Sequence, residues 1–215
     1  NSTKFCRTLF NKTSREFFRH YTQETSFGKM LSKGKYNCLT GTALYALLLD
    51  HFAIPYTIIE TNYHIFLLAS TNDGKILFEA TDPLNGFVDN PNDIEKRIQQ
   101  YKRNSIQRVT SDTRKYYAYN FNLYKPVSLS EIKGLLHYNL SIEAYNEKLF
   151  EPAINHLEHA TARYNSPRTY EFSTVMLLAV LESDLETTLK QTFTKRVQNI
   201  RKKQLQVIAS SNYTN

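Results

Sequence analysis

The sequence predicts an α+β fold for residues 1–127, followed by an all-α region over residues 128–215. Three observations lead to this division. A helical pattern precedes three short apolar runs joined by tight turns, which is typical of an antiparallel sheet packed on a helix. From residue 128 onward the pattern is helical almost throughout. The 215 residues are 41% hydrophobic and 22% charged, which is the composition of a globular protein.

Two helices are predicted before the first strand. Residues 14–22 form a short helical segment, for which Ser14 is a suitable cap. Residues 38–52 are apolar nearly throughout, so we expect this second helix to be buried on most of its sides. Pro55 ends it, because proline lacks the backbone N–H that a helix interior needs.

Three strands are predicted next, and they cover residues 56–60, 64–69 and 75–80. The turn Asn72-Asp73-Gly74 is a hairpin signal between the second and the third. A surface helix is predicted over residues 91–101, with proline in its first turn. The aromatic residues 115–123 suit one more strand. This order favours an antiparallel sheet packed against the helix that begins at Cys38.

The helical region carries a repeat-like pattern. Ser128 to Glu131 fits a capping box, and Pro152 and Pro167 divide the region into four helices. With Gly134 as the first position of a unit of about 34 residues, small and apolar side chains fall where two helices cross closely. These residues are Leu140, Ser141, Ala153, Leu157 and Ala160. The pattern resembles a tetratricopeptide unit with a degenerate second one, and a plain helical hairpin is the alternative.

The net charge of +7 is concentrated at the C-terminal end. Residues 190–215 contain six cations and no acidic residue, which leaves +1 for residues 1–189. A nucleic-acid-binding surface spreads its cations over a face among base-reading side chains, so no nucleic-acid partner is predicted. The basic run is interpreted as a solvated helix face, with an acidic partner or a membrane surface as alternatives.

Hydropathy predicts no transmembrane segment, because no apolar run reaches the roughly 18–20 residues that span a bilayer. The sequence starts at Asn1 without Met, which favours an exported or periplasmic protein and leaves the compartment otherwise open.

Cys38, His64 and Asp82 have the residue types and the spacing of a thiol-based catalytic triad. Cys38 lies at the predicted amino end of the buried helix, where unpaired backbone amides stabilise a thiolate. His64 begins a strand beside that helix, so its imidazole can take the thiol proton. Asp82 ends the next strand, which antiparallel pairing brings towards His64. Each residue also has a structural interpretation, as a core cysteine, a strand histidine and a turn aspartate.

Two other groups are weaker candidates. His156 and His159 are three residues apart on a predicted helix, but no third ligand is evident, so no metal is predicted. Cys6 is interpreted as a bystander, although a disulfide between Cys6 and Cys38 would silence the proposed nucleophile.

The order of these motifs resembles the transglutaminase-like superfamily, whose core has the arrangement of papain-type cysteine proteases. Four stretches carry the resemblance, within residues 30–88. They are Gly34-Lys-Tyr-Asn-Cys38 with the apolar helix after it, Phe52-Ala-Ile-Pro55, Tyr63-His64-Ile-Phe-Leu-Leu, and Phe78-Glu-Ala-Thr-Asp82-Pro83. The resemblance implies a transglutaminase-like core over residues 1–127, followed by the tetratricopeptide-like helices.

The resemblance also implies a function: thiol-dependent acyl transfer on peptide or isopeptide amides, with a peptide or protein substrate and no cofactor. Cys38 would be the nucleophile, His64 the base and Asp82 the orienting acid. The oxyanion would be held by the Cys38 backbone amide and by an upstream side chain, for which Gln23 and Asn37 are the nearby amides. The alternative is a non-catalytic binding module that keeps this fold and recruits a protein partner through its C-terminal helices.

Overall fold

The structure, a computed structural model, describes residues 2–107 and 123–212. In these residues the chain is an α+β protein with eight helices and a five-stranded antiparallel sheet, which confirms the predicted fold class. The chain divides into two units, Asn1–Leu129 and Ser130–Asn215. Most of the predicted strand over residues 115–123 lies outside the described residues.

The first unit contains four helices and seven strands among its described residues. The helices are α1 (Ser2–Phe17), α2 (Phe27–Lys33), α3 (Cys38–His51) and α4 (Pro91–Gln107). The strands are β1 (His20–Tyr21), β2 (Lys35–Tyr36), β3 (Tyr56–Thr61), β4 (Ile65–Thr71), β5 (Gly74–Phe78), β6 (Phe87–Val88) and β7 (Tyr124–Val127). Strands β1 and β2 form a separate parallel pair.

Helix α1 begins well before the predicted residues 14–22, and Ser14 is not its cap. Ser14 lies in the last turns of α1 and donates a hydrogen bond to the carbonyl of Asn11 at 3.2 Å. The buried face of α1 consists of Cys6, Phe10, Thr13 and Ser14. Phe5, Cys6, Leu9 and Phe10 recur at helical spacing, so the sequence contained a signal for this helix before residue 14.

The main sheet has the order β6-β5-β4-β3-β7, and helices cover both of its faces. On one face, Tyr45 of α3 and Phe10 of α1 pack against Phe78, with ring centroids 5.2 and 5.6 Å apart. On the other face, Ile94 and Ile98 of α4 join a buried cluster with three strand residues. These are Ile59, Phe66 and Leu77. Successive side chains of a strand therefore point alternately to the sheet face that α3 covers and to the face that α4 covers, as the pleat of a sheet requires.

The described part of the second unit has four helices, as the sequence predicts for this region. They are α5 (Leu129–Asn146), which begins at the last residue of the first unit, α6 (Phe150–Thr161), α7 (Pro167–Glu182) and α8 (Thr187–Asn212). Helices α5 and α6 cross closely: the Ser141 hydroxyl donates to the carbonyl of Ala153 at 2.6 Å. Among the described residues, no helix combines the length and the apolar character that crossing a bilayer requires.

The close crossing at Gly134 predicts that Gly134→Ala destabilises the protein. An added Cβ would lie 2.5 Å from Cβ of Tyr164 and 3.0 Å from the carbonyl oxygen of Ala160, so the backbone must shift. Such overpacking costs about 1–3 kcal/mol. Urea unfolding measures the loss. Gly28→Ala is the matched control, because a Cβ at Gly28 in α2 meets no atom within 4 Å. Equal stability of the two variants would contradict the close crossing.

Candidate active site

Cys38 is the first residue of α3, and the residue before it caps the helix. The side chain of Asn37 accepts a hydrogen bond from the amide of Thr40 at 2.9 Å, while the Asn37 amide donates to the Thr40 hydroxyl at 3.0 Å. The capping box occupies the amide of Thr40, while the amides of Cys38 and Leu39 precede the first backbone hydrogen bond of the helix, as at any helix start. The half-buried Cys38 thiol therefore lies at an electropositive helix end.

A glycine lets α3 approach the end of β5. A Cβ built on Gly41 would lie 2.6 Å from Cβ of Ala80, which is closer than side chains normally pack. One residue further on, the hydroxyl of Thr42 donates to the carbonyl of Ile65 at 3.3 Å. These two contacts hold the first turn of α3 against the ends of β4 and β5.

The turn between β3 and β4 fixes the backbone of His64. The hydroxyl of Thr61 accepts a hydrogen bond from the amide of His64 at 3.1 Å and donates to its carbonyl at 3.0 Å. The amide of Thr61 donates to the same carbonyl at 2.8 Å. His64 therefore starts β4 from a tightly hydrogen-bonded turn, and its side chain is 20% exposed.

The carboxylate that meets His64 is Glu79. Its Oε2 contacts Nε2 of His64 at hydrogen-bonding distance and accepts the hydroxyl of Tyr101 at 2.7 Å. Its Oε1 accepts the amide and the hydroxyl of Thr81, at 3.0 and 2.6 Å. The Glu79 side chain is only 3% exposed, so all of these hydrogen bonds are made to a carboxylate that is almost inaccessible to water.

The electrostatics of this pair favour its charged form. Burial alone would lower the pKa of His64, but hydrogen bonds to Cys38 and Glu79 and the negative charge of Glu79 raise it well above the ordinary value. Burial would likewise raise the pKa of Glu79, whereas the hydrogen bond and the charge of His64 lower it. Because Glu79 occupies Nε2, Nδ1 is the ring nitrogen of His64 that does not face this carboxylate.

The structure places Asp82 away from His64 and thereby corrects the predicted third member of the triad. Its Oδ2 accepts a hydrogen bond from Nη2 of Arg97 at 3.0 Å, and its Oδ1 accepts the amide of Asn85 at 2.9 Å. Asp82 therefore anchors the loop after β5 to helix α4, while Glu79 takes the position beside the imidazole.

Strand register explains why Glu79 and not Asp82 lies at His64. The turn at Asn72-Asp73 pairs Thr71 with Gly74, and the ladder continues to Leu67 opposite Phe78. One further step sets Phe66 opposite Glu79, and His64 shares the α4 face with Phe66 because side chains alternate. The sequence already indicated this pairing, because the length of the hairpin turn fixes which residues of β4 and β5 lie opposite each other.

The two amides predicted near the oxyanion have different positions. Asn37 is buried, and its Nδ2 donates to the backbone carbonyl of Gln23 at 3.1 Å. Because its Oδ1 caps α3, Asn37 serves as a structural cap and does not support an oxyanion role. Gln23 lies on the loop that this bond ties to the start of α3, and its side chain is exposed. The role of Gln23 as an oxyanion donor stays a prediction.

Both cysteines are free thiols, so the disulfide considered above is not formed. Cys6 is fully buried in α1, and burial raises the pKa of its thiol. Cys38, by contrast, is partly exposed. The two thiols therefore differ in both access and environment.

The structure adds a third histidine to the pair predicted on α6. Nδ1 of His137 on α5 lies 3.2 Å from Nδ1 of His156, and the rings of His137 and His159 have centroids 5.0 Å apart. The described residues nevertheless contain no group of three or more His, Cys, Asp or Glu side chains arranged to hold a metal ion. The contact between His137 and His156 requires one neutral ring, because two protonated rings are both donors.

Comparison with known proteins gives no match: no family model, no curated protein and no solved structure is significantly similar to this chain. The transglutaminase-like assignment therefore stays a prediction, which depends on the residues and the geometry described above.

The histidine cluster predicts a loss of stability at mildly acidic pH. Burial and the neighbouring charges of His156, His159, Lys133 and Arg163 lower the pKa of His137. Between the ordinary histidine pKa and this lower value, the unfolded chain binds more protons than the folded one, so stability falls as the pH falls. His137→Gln should flatten the decrease of the melting temperature between about pH 7.5 and 5.5.

The control for this prediction is an exposed histidine outside the cluster. His20→Gln in β1 makes the same chemical change at an exposed position, so the comparison isolates the effect of the cluster. Equal slopes for His137→Gln and the wild type would contradict the lowered pKa.

Proposed function

We propose that the first unit catalyses thiol-dependent acyl transfer on peptide or isopeptide amides. Cys38 is the nucleophile, His64 the proton shuttle and Glu79 the acid that orients His64. The observation that carries this proposal is the contact of His64 with the buried carboxylate of Glu79, and the Cys38 thiol is one of the groups that raise the pKa of the same imidazole. A nucleophile, a base and an orienting group in series define a nucleophilic acyl-transfer site.

The first half of the reaction forms a thioester. The sulfur of Cys38 attacks the carbonyl carbon, and the carbonyl π electrons move to oxygen, where the amides at the start of α3 stabilise the negative charge. When the oxyanion collapses, the carbon–nitrogen bond breaks, and the protonated His64 gives its proton to the departing amine. The acyl group is then bonded to sulfur, and His64 is neutral.

The second half releases the acyl group. Neutral His64 takes a proton from the incoming nucleophile, whose oxygen or nitrogen attacks the thioester carbon. The carbon–sulfur bond then breaks, and the thiolate and the imidazolium are restored. With water the reaction is a hydrolysis, and with an amine it is an amide exchange, so both outcomes belong to the same acyl-transfer class.

The charge state of His64 supports this mechanism. A raised pKa keeps the imidazole of His64 protonated at neutral pH, so it can give a proton to the departing amine. The partial exposure of Cys38 and His64 supports access for a substrate. The buried Glu79 side chain fixes the tautomer without itself reaching solvent.

The same contacts favour a transglutaminase-like architecture for this unit. The helix that begins with the cysteine packs on an antiparallel sheet, and the histidine precedes the next strand. For the second unit we propose a tetratricopeptide-like arrangement that contacts a protein partner. The support for it is the close crossing of α5 and α6 at Gly134 and Ser141, where that repeat pattern places small residues.

The proposal predicts that iodoacetamide alkylates Cys38 at neutral pH faster than it alkylates free cysteine. Cys6 is the internal control, because burial protects its thiol in the folded protein. His64→Ala should slow the alkylation of Cys38 by about 100-fold, since it removes the proton acceptor. Mass spectrometry of peptides from timed samples gives both rates.

A matched pair of acid-to-amide variants tests which acidic residue orients His64. Glu79→Gln should slow alkylation of Cys38 by roughly tenfold or more, because the amide no longer favours the imidazolium. Asp82→Asn should have little effect, since Asp82 contacts Arg97. Acetylation of Cys38 by p-nitrophenyl acetate tests acyl transfer itself. Alkylation no faster than that of free cysteine, or a larger effect of Asp82→Asn, would contradict the proposal.

A further inference from the structure

Helix α4 supplies a side chain that touches both members of the buried pair. The hydroxyl of Tyr101 donates to Oε2 of Glu79 at 2.7 Å, the same oxygen that contacts His64. The Tyr101 ring is tilted by 45° against the imidazole, with centroids 4.8 Å apart, and it lies 4.9 Å from the ring of Phe66. Tyr101 therefore fixes the carboxylate through its hydroxyl and contacts the imidazole with its ring.

Tyr101 is itself held by the residue one turn earlier on α4. Arg97 hydrogen-bonds to Tyr101, and its Nη2 also donates to Asp82 and to the carbonyl of Asn85, at 3.0 and 3.2 Å. A hydroxyl that accepts a hydrogen bond from a guanidinium becomes a stronger donor to its own acceptor. A chain of hydrogen bonds therefore runs from Asp82 through Arg97 and Tyr101 to Glu79.

The loop that carries Asp82 begins at Glu79. The amide of Glu79 donates to the carbonyl of Gly86 at 2.8 Å, and the amide of Gly86 donates to the carbonyl of Asp82 at 2.7 Å. No Cβ fits at Gly86, because it would overlap the carbonyl oxygens of Glu79 and Asp82. Both the backbone and the side chain of Glu79 are thus fixed by the same segment.

We propose that Tyr101 is a positioning residue for the acyl transfer described above, because its hydroxyl holds Oε2 of Glu79 beside the imidazole of His64. The proposal rests on the proposed function. A glutamate side chain has one more rotatable bond than an aspartate, so it needs an additional contact to hold one oxygen in line with the imidazole. Tyr101 provides that contact from the helix that covers this face of the sheet.

The hydroxyl of Tyr101 also stabilises the charge of Glu79. Each hydrogen bond donated to a carboxylate favours its ionised form, and Tyr101 is one of the groups that lower the pKa of Glu79, after His64 and Thr81. Two further titratable groups feel the charge of Glu79 without being named among the causes of its own pKa shift: Tyr36 of β2 and Tyr45 of α3. Burial raises the pKa of both tyrosines, which keeps them neutral.

The test uses Tyr101→Phe, which keeps the ring beside His64 and removes only the hydroxyl. The midpoint for protonation of Glu79, followed by carbon-13 NMR of its carboxyl group, should rise by about one pH unit. The acid limb of the pH profile for alkylation of Cys38 by iodoacetamide should move upward with it. A merely structural role would lower stability and leave both midpoints in place.

Tyr45→Phe is the matched control, because it removes a buried tyrosine hydroxyl that donates to the carbonyl of Phe10 at 3.2 Å. It should reduce stability without moving either midpoint. Arg97→Gln is a second variant, and it provides the test of the Glu79 midpoint if Tyr101→Phe does not fold. It leaves the hydroxyl in place but weakens it as a donor, so a smaller upward shift is expected.

The outcomes separate this proposal from the proposed function. An unchanged Glu79 midpoint in folded Tyr101→Phe, or in Arg97→Gln if only that variant folds, overturns the positioning role. This result leaves the reactivity of Cys38 intact. Slow alkylation of Cys38 in the wild-type protein overturns the acyl transfer, and the positioning role for that reaction with it. In that case, a shift of the Glu79 midpoint in Tyr101→Phe would show only that Tyr101 hydrogen-bonds to Glu79, without a role in catalysis.

Discussion

The contact between His64 and Glu79 is the interaction on which the rest of this site depends. Both side chains are largely removed from water, so each would be costly as an isolated charge. Breaking a buried ion pair by removing one partner costs about 3–5 kcal/mol, because the remaining charge is uncompensated. The four hydrogen bonds that Glu79 accepts, two at each oxygen, reduce this cost and give the carboxylate one orientation.

Three parts of the first unit meet at this contact. Helix α3 brings the thiol of Cys38 to the ends of β4 and β5, which the missing side chain of Gly41 allows. The hairpin register sets Glu79 on the same face as His64. Helix α4 covers that face, and its hydrogen-bonding residues lie one turn apart on the side that contacts the loop after β5. The site therefore depends on packing on both faces of the sheet.

The positions of Cys38 at the start of α3 and of His64 just before β4 could be predicted because their signals are local: a thiol at the start of an apolar helix, and a histidine at the start of a strand. Their catalytic roles stay predictions. The acid was misidentified because Asp-Pro at residues 82–83 is a stronger motif than a glutamate near a strand end, although the register of the turn at Asn72-Asp73 favoured the glutamate. Tyr101 was not predicted, since its role follows from how α4 packs on the sheet. The capping role of Asn37 was missed although its signal is local, since Asn37 and Thr40 are only three residues apart and bond to each other.

The most direct test of this account is the protonation state of His64, measured by nitrogen-15 NMR of histidine-labelled protein at neutral pH. The resonances are assigned with His64→Gln. The account predicts that both ring nitrogens of His64 carry protons at pH 7 and that one of them titrates only at clearly higher pH, because the charge of Glu79 and the hydrogen bond to Cys38 favour the imidazolium. A His64 ring that is neutral at pH 7, with an ordinary titration midpoint, would contradict the charged pair and the mechanism built on it.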